Sequence, residues 1–173
     1  MGLGIMFVLS MGYLLVSLNK KAPTISVWEN ISVGRDSAEK ITAKLGQPES
    51  TTKSSGGADI LNYPGPHSFW PNQVYIQDKT SALVKQRMIN KVAGELQQYL
   101  TKLGTPDLIT ASNDDLPATG FRLYVFVSQG LALNASPTSG AIFEIWYFQP
   151  TTLEKFQSQF KNEIKDWKDA KSY

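Results

Sequence analysis

The sequence predicts an α+β fold: two helix-plus-three-stranded antiparallel meander repeats sharing one sheet, a C-terminal amphipathic helix, and an N-terminal transmembrane helix. Three observations predict it. Residues 43–49 read AKLGQPE and residues 101–107 read TKLGTPD, so Lys-Leu-Gly-x-Pro-acid occurs twice, 58 positions apart. After each copy, apolar and polar residues alternate in short runs separated by Gly, Pro, Asn and Asp, the period of half-buried strands. Before both copies, the stretch from Gly2 to Leu18 carries no charge in 17 residues.

That stretch, GLGIMFVLSMGYLLVSL, is just long enough as a helix to cross a thin hydrocarbon core. Leu3, Ile5, Phe7, Leu9, Leu14 and Leu15 are its lipid-facing candidates. No small-x-small cleavage site follows; Ala22 lies between Lys20-Lys21 and Pro23, so an uncleaved signal anchor over 1–19 is expected. Membrane lipid is then one partner. Lys20 and Lys21 by themselves favour a cytoplasmic domain. Residues 20–30 read as a linker.

The first repeat is placed at 31–89 and the second at 90–149. In the first, Asp36-Ser-Ala-Glu39 offers a capping box, and Ala38, Ile41 and Leu45 share one face of a helix over 36–45. Leu45, Gly46 and Pro48 stop it: leucine closes the apolar face, glycine accepts a left-handed conformation, and proline prevents continuation. Strands follow at 59–63, 73–77 and 82–88, with Gln77-Asp78-Lys79-Thr80 as a turn. In the second, Val92, Leu96, Tyr99, Leu100 and Leu103 mark a helix over 91–103, which Leu103, Gly104 and Pro106 end in the same way. Its strands are expected at 121–127, 131–135 and 141–148. Residues 150–173 form the last unit, where Thr151-Thr-Leu-Glu154 caps a helix with Leu153, Phe156, Phe160, Ile164 and Trp167 on one face. Trp146 and Phe148 share one side of the preceding strand and suit the floor beneath that helix.

Composition narrows the chemistry. There are 17 Lys plus Arg against 15 Asp plus Glu, and the two signs alternate without a basic stripe, which disfavours nucleic acid. Cysteine is absent, which removes disulfides, thiolate metal sites, a cysteine nucleophile and lipid attachment through an N-terminal cysteine. The one histidine, His67, lies in Tyr63-Pro-Gly-Pro-His-Ser-Phe-Trp-Pro71 and makes neither a zinc site nor a triad with its neighbour Ser68. Asp114 and Asp115 form a carboxylate pair, but their Asn-Asp-Asp-Leu-Pro setting reads as a turn. No catalytic residue, metal or cofactor is expected. The aromatics among the prolines are better suited to anchoring a partner protein, so Phe69, Trp70, His67 and Tyr75 are the candidate protein-binding residues.

Trp28-Glu-Asn-Ile31-Ser-Val-Gly34 before the capped helix, Leu45-Gly-x-Pro48-Glu49 after it, and the meander that follows resemble the SmpA/OmlA (BamE-like) family of small envelope lipoproteins that assist outer-membrane barrel assembly. They are also similar to the tandem β-lactamase-inhibitor protein (BLIP-like) fold built from the same unit. The resemblance covers about residues 25–148. It implies a non-enzymatic exported domain that acts by protein contact. Without the lipidated cysteine, it implies a single-pass form on the bacterial cytoplasmic membrane with its domain on the outer face. The function expected is a membrane-tethered adaptor or assembly factor of the cell envelope. An inhibitor of an envelope hydrolase is the alternative.

Overall fold

The structure is a computed structural model, and it describes residues 26–88, 95–114 and 120–165. A small ribbon opens the described chain, β1 (Ser26–Val27) pairing with β2 (Ile31–Ser32). Helix α1 (Ala38–Leu45) follows, then β3 (Ser50–Lys53), β4 (Asp59–His67), β5 (Trp70–Gln77) and β6 (Thr80–Arg87). Beyond these come α2 (Glu95–Leu103), β7 (Leu108–Thr110), β8 (Arg122–Phe126), β9 (Leu131–Ala135), β10 (Ile142–Phe148) and α3 (Leu153–Gln159). Strands β3 to β10 form a single antiparallel sheet in the order β3-β4-β5-β6-β10-β9-β8-β7, so its centre is a seam between β6 and β10.

This corrects the expected architecture. In place of two three-stranded meanders there is one eight-stranded sheet, four strands on each side of the seam. The strands missed are the outermost. All four residues of Ser50-Thr-Thr-Lys53 are exposed and show no apolar alternation, and β7 has three residues. For β3, backbone pairing to β4 rather than burial of a side-chain face makes the strand. The C-terminal helix is also shorter: α3 stops after Gln159, and a turn carries residues 161–165 back to a bridge between Ile164 and Ser112.

No helix among the described residues is long and apolar enough to cross a membrane. The predicted signal anchor over 1–19, with Leu3, Ile5, Phe7, Leu9, Leu14 and Leu15, lies outside the described residues. The transmembrane helix and the single-pass localisation built on it are therefore withdrawn.

Local chemistry explains the helices. Ser37 caps α1 by accepting from Lys40 N at 3.4 Å. Asp36, the cap expected from the sequence, instead accepts from Ser32 N (2.8 Å) and Lys44 Nζ (2.6 Å), fastening the ribbon to the helix. Both long helices end on glycines in a left-handed conformation, Gly46 at φ 83° and Gly104 at φ 86°. Each of these glycines donates its N–H back into the helix, to Thr42 O and Leu100 O, both at 2.9 Å.

Both faces of the sheet carry helices. On one, Ile41 of α1 packs onto Leu61, Val74 and Val84, while Leu96 of α2 packs onto Phe126, Leu133 and Ile145. Fully burying a side chain such as Ile41 contributes about 1.5–3 kcal/mol. On the opposite face, Phe156 and Phe160, at and just beyond α3, meet Phe148 at ring-centroid distances of 4.9 and 5.7 Å. These two cover only part of that face. The remainder carries a row of polar and charged side chains.

Candidate functional site

Two features of that second face are candidates for function: a buried ion network at the seam and an aromatic hairpin at one end of the sheet. Strand period places Leu83, Lys85 and Arg87 of β6 on one side, and Glu144, Trp146 and Phe148 of β10 on the same side. Register then sets Arg87 opposite Glu144 and Lys85 opposite Trp146. The Lys85 side chain has 0% exposure. Its ammonium donates to Asp114 Oδ2 at 2.8 Å and Glu163 Oε2 at 2.7 Å, and lies 4.4 Å from the centroid of the Trp146 ring and 5.0 Å from that of Tyr75. The Tyr75 hydroxyl donates to the same Glu163 oxygen at 2.9 Å. Arg87 pairs with Glu144, which also accepts from Trp146 Nε1, and its guanidinium is 3.6 Å from Asp114 Oδ2.

The electrostatics follow from this enclosure. Burial alone would lower the Lys85 pKa, but Tyr75 and the carboxylates of Asp114 and Glu163 more than offset it, so it is held above the ordinary lysine value. Asp114 is opposite in sign: burial favours its neutral form, but Lys85 and Arg87 outweigh that and hold its carboxyl below the usual range. Burial pushes the Tyr75 phenol well up. An ammonium stabilised in this way stays charged at neutral pH; it holds anions and is no amine nucleophile.

A polar chain runs from this network to the edge of the sheet. Arg87 donates to Gln73 Oε1 (3.4 Å), Gln73 Nε2 to Asn62 Oδ1 (3.1 Å), and Asn62 Nδ2 to the Ser50 (3.2 Å) and Thr52 (3.3 Å) hydroxyls.

The second feature is the tip of the β4–β5 hairpin. The proline-rich stretch read from sequence as a loop is strand: β4 continues through Pro64, Gly65 and Pro66 with an irregularity in register, and His67 pairs with Trp70 across a two-residue turn. Gly65 is required there, because a Cβ would sit 1.9 Å from the Trp70 carbonyl oxygen. At the tip Phe69 is 83% exposed and stacks on the His67 ring at 5.4 Å with 4° between the planes. Trp70 is half-buried, with the Arg87 guanidinium 5.1 Å above its ring.

Three of the four candidate protein-binding residues, His67, Phe69 and Trp70, are thus together at the tip. Tyr75 is not with them; it is buried in the ion network. Of the carboxylate pair, Asp114 serves Lys85 and Asp115 lies outside the described residues. Sequence reasoning missed Lys85, Arg87, Glu144 and Glu163. Only their parity could have marked them: each of the first three occupies a position that alternation assigns to a buried face.

Fold and site together define an open-sided antiparallel α+β module with a buried charge network and one protruding aromatic hairpin. No family model matches the chain, and no curated protein does. Solved structures do. One is an extracellular protein containing an SCP domain from Bacillus anthracis strain Ames, 14% identical, with TM-score 0.52, covering 86% of this chain and 54% of that one. A cysteine-rich secretory protein from Staphylococcus aureus Mu50 is 11% identical with TM-score 0.48, covering 78% and 49%. A DUF4309 family protein (YjgB) from Bacillus subtilis strain 168 is 13% identical with TM-score 0.46, covering 70% and 83%. The chain spans about half the length of the first, to which its likeness is one of fold alone. The first of these is described neither as an SmpA/OmlA-like lipoprotein nor as a BLIP-like inhibitor, and those labels are set aside.

Proposed function

We propose that this chain is a non-catalytic protein-interaction module, an adaptor or assembly factor, which grips its partner with the β4–β5 hairpin tip. The observation that carries this reading is Phe69: a large aromatic, 83% exposed, on a two-residue turn whose neighbours are fixed. An ordered aromatic loses little freedom on binding, which is why such side chains dominate interface energetics. His67 stacks beneath it, and Trp70 is held by Arg87. The membrane tether is not part of this proposal. An inhibitor of a hydrolase is the second reading, favoured by the same protrusion, since a narrow hairpin fits a cleft.

The test is a photo-reactive residue at position 69, with one at the exposed Lys79 in the β5–β6 turn, at the other end of β5, as control. A discrete crosslinked protein from position 69 and none from 79 is expected. With that protein purified, Phe69→Ala should weaken binding by about 2 kcal/mol, roughly 30-fold. Equal crosslinking from both positions, or unchanged affinity, rejects the tip. If the captured protein is a hydrolase that the chain inhibits, the second reading replaces the first.

A further inference from the structure

Two of the carboxylates that neutralise the seam come from outside the sheet. Glu144 belongs to β10, but Asp114 lies in the segment after β7, and Glu163 lies on the stretch 161–165 beyond α3. That stretch is a strap laid along the continuation of an edge strand. Ile164 bridges Ser112 in antiparallel fashion. Asn113 N donates to Glu163 O and Lys165 N to Ala111 O, both at 2.9 Å. Thr110 Oγ1 and Asn113 Nδ2 add bonds to Lys165 O and Asn162 O, each 2.9 Å. Ile164 also packs against the apolar cluster under α3.

The arrangement is strand addition performed in cis: main-chain bonds hold the added segment, and its side chains enter specific places. Glu163 enters the cage of Lys85, Tyr75 and Trp146, and Ile164 enters the apolar patch. Without the strap, the sheet would present Lys85 and Arg87 against Asp114 and Glu144, with the place of Glu163 open. When the strap opens, Lys85 loses Glu163 and keeps Asp114, so an incoming carboxylate that replaces Glu163 favours the exchange.

We propose that residues 161–165 are a cis occupant of a groove that accepts, in exchange, an extended segment of a partner protein in which a carboxylate residue directly precedes an aliphatic one. The strap itself shows the recognition chemistry: a carboxylate beside the Lys85 ammonium and the Tyr75 hydroxyl, and an aliphatic side chain in the apolar patch. This surface is separate from the hairpin tip and stands independently of it.

The full chain carrying Glu163→Ala and Ile164→Ala is titrated with a fluorescein-labelled peptide copying residues 161–165, Lys-Asn-Glu-Ile-Lys. The variant is expected to bind it at least about tenfold more tightly than the unsubstituted protein, whose own strap competes, and at least about tenfold more tightly than a peptide with glutamine in place of glutamate. Equal binding of the two peptides, or none by a variant that keeps its circular dichroism spectrum, overturns the proposal. So does a dimer of the variant without peptide uptake, which would assign the groove to a second copy. Hydrogen exchange on the unsubstituted protein decides the matter should the variant not fold. The Lys165 and Asn113 amides should exchange together, at least about 100-fold faster than those of β6 and β10. Exchange only in concert with β6 and β10 means the strap does not open, and the proposal fails.

Discussion

Lys85→Met tests the ion network most directly. Methionine keeps most of the stem volume but removes the charge from a side chain with 0% exposure. Lost with it are two charge-assisted hydrogen bonds of 2.8 and 2.7 Å and the contacts with the Trp146 and Tyr75 rings. Removing one partner of a buried ion pair costs about 3–5 kcal/mol, because the other is left unpaired. Here the two orphans differ. Asp114 has a 43% exposed side chain and keeps Arg87 at 3.6 Å, so water and that guanidinium compensate it. Glu163 is 13% exposed and, among the described residues, keeps the Tyr75 hydroxyl. One carboxylate left without a cation but with a hydroxyl donor points to the low end of the range, about 3 kcal/mol. For a chain of this size that corresponds to a fall of about 6–12 °C in Tm. Guanidinium titration at neutral pH and thermal melting followed by circular dichroism measure both. Adding Glu163→Gln should restore at least about 1 kcal/mol, since the orphaned charge is then gone. A loss below about 1 kcal/mol in the single variant, or a double variant whose loss equals the sum of the two singles, refutes the reasoning.

Other perturbations probe the rest of the molecule. Burial pushes the Tyr147 phenol up to about 12 from an ordinary 10.0, and Tyr75 moves the same way. The folded form therefore holds protons that the unfolded chain releases, so stability should decline as pH rises from about 10 towards 12. Lys85, also raised, contributes to the same decline. A urea midpoint that rises across this window contradicts the burial of these groups. Gly65→Ala places a methyl against the Trp70 carbonyl and should cost about 1–3 kcal/mol in urea denaturation, with the His67 ring resonances shifted by loss of the stack. Phe156→Ala empties a site with 0% exposure between Phe148 and Phe160 and should cost about 3–5 kcal/mol by the same measurement. Phe69→Ala, by contrast, should leave stability within about 0.5 kcal/mol while weakening partner binding; a larger stability loss would mean that Phe69 packs into the fold.

Phe69 and Lys85 show what could and could not be read in advance. Phe69 is a candidate anchor on sequence alone because prolines and a glycine crowd its segment and leave few local partners. Its exposure is not legible there, since whether an aromatic turns outward depends on what lies beneath the hairpin. Sequence alone does not single out Lys85, because a lysine in an alternating strand ordinarily faces water. Its burial depends on a strap and a connection 78 and 29 residues away in sequence. β3 was invisible for the converse reason: Ser-Thr-Thr-Lys has no apolar side to advertise, and only the backbone of β4 makes it a strand.

What the sequence determined by itself is local: glycines 46 and 104 at the helix ends, the Asp78-Lys79 turn at positive φ, and the parity that puts Lys85 and Arg87 on the side of Leu83. These depend on conformational preferences acting within a few residues. Tertiary structure alone decided that strands β3 to β10 join one sheet, that β6 meets β10 at its centre, and that three carboxylates converge on two buried cations. The physical reason is that such charges are tolerated in a low-dielectric interior only in pairs, and the pairing is set by strand register between distant parts of the chain, which no local pattern encodes.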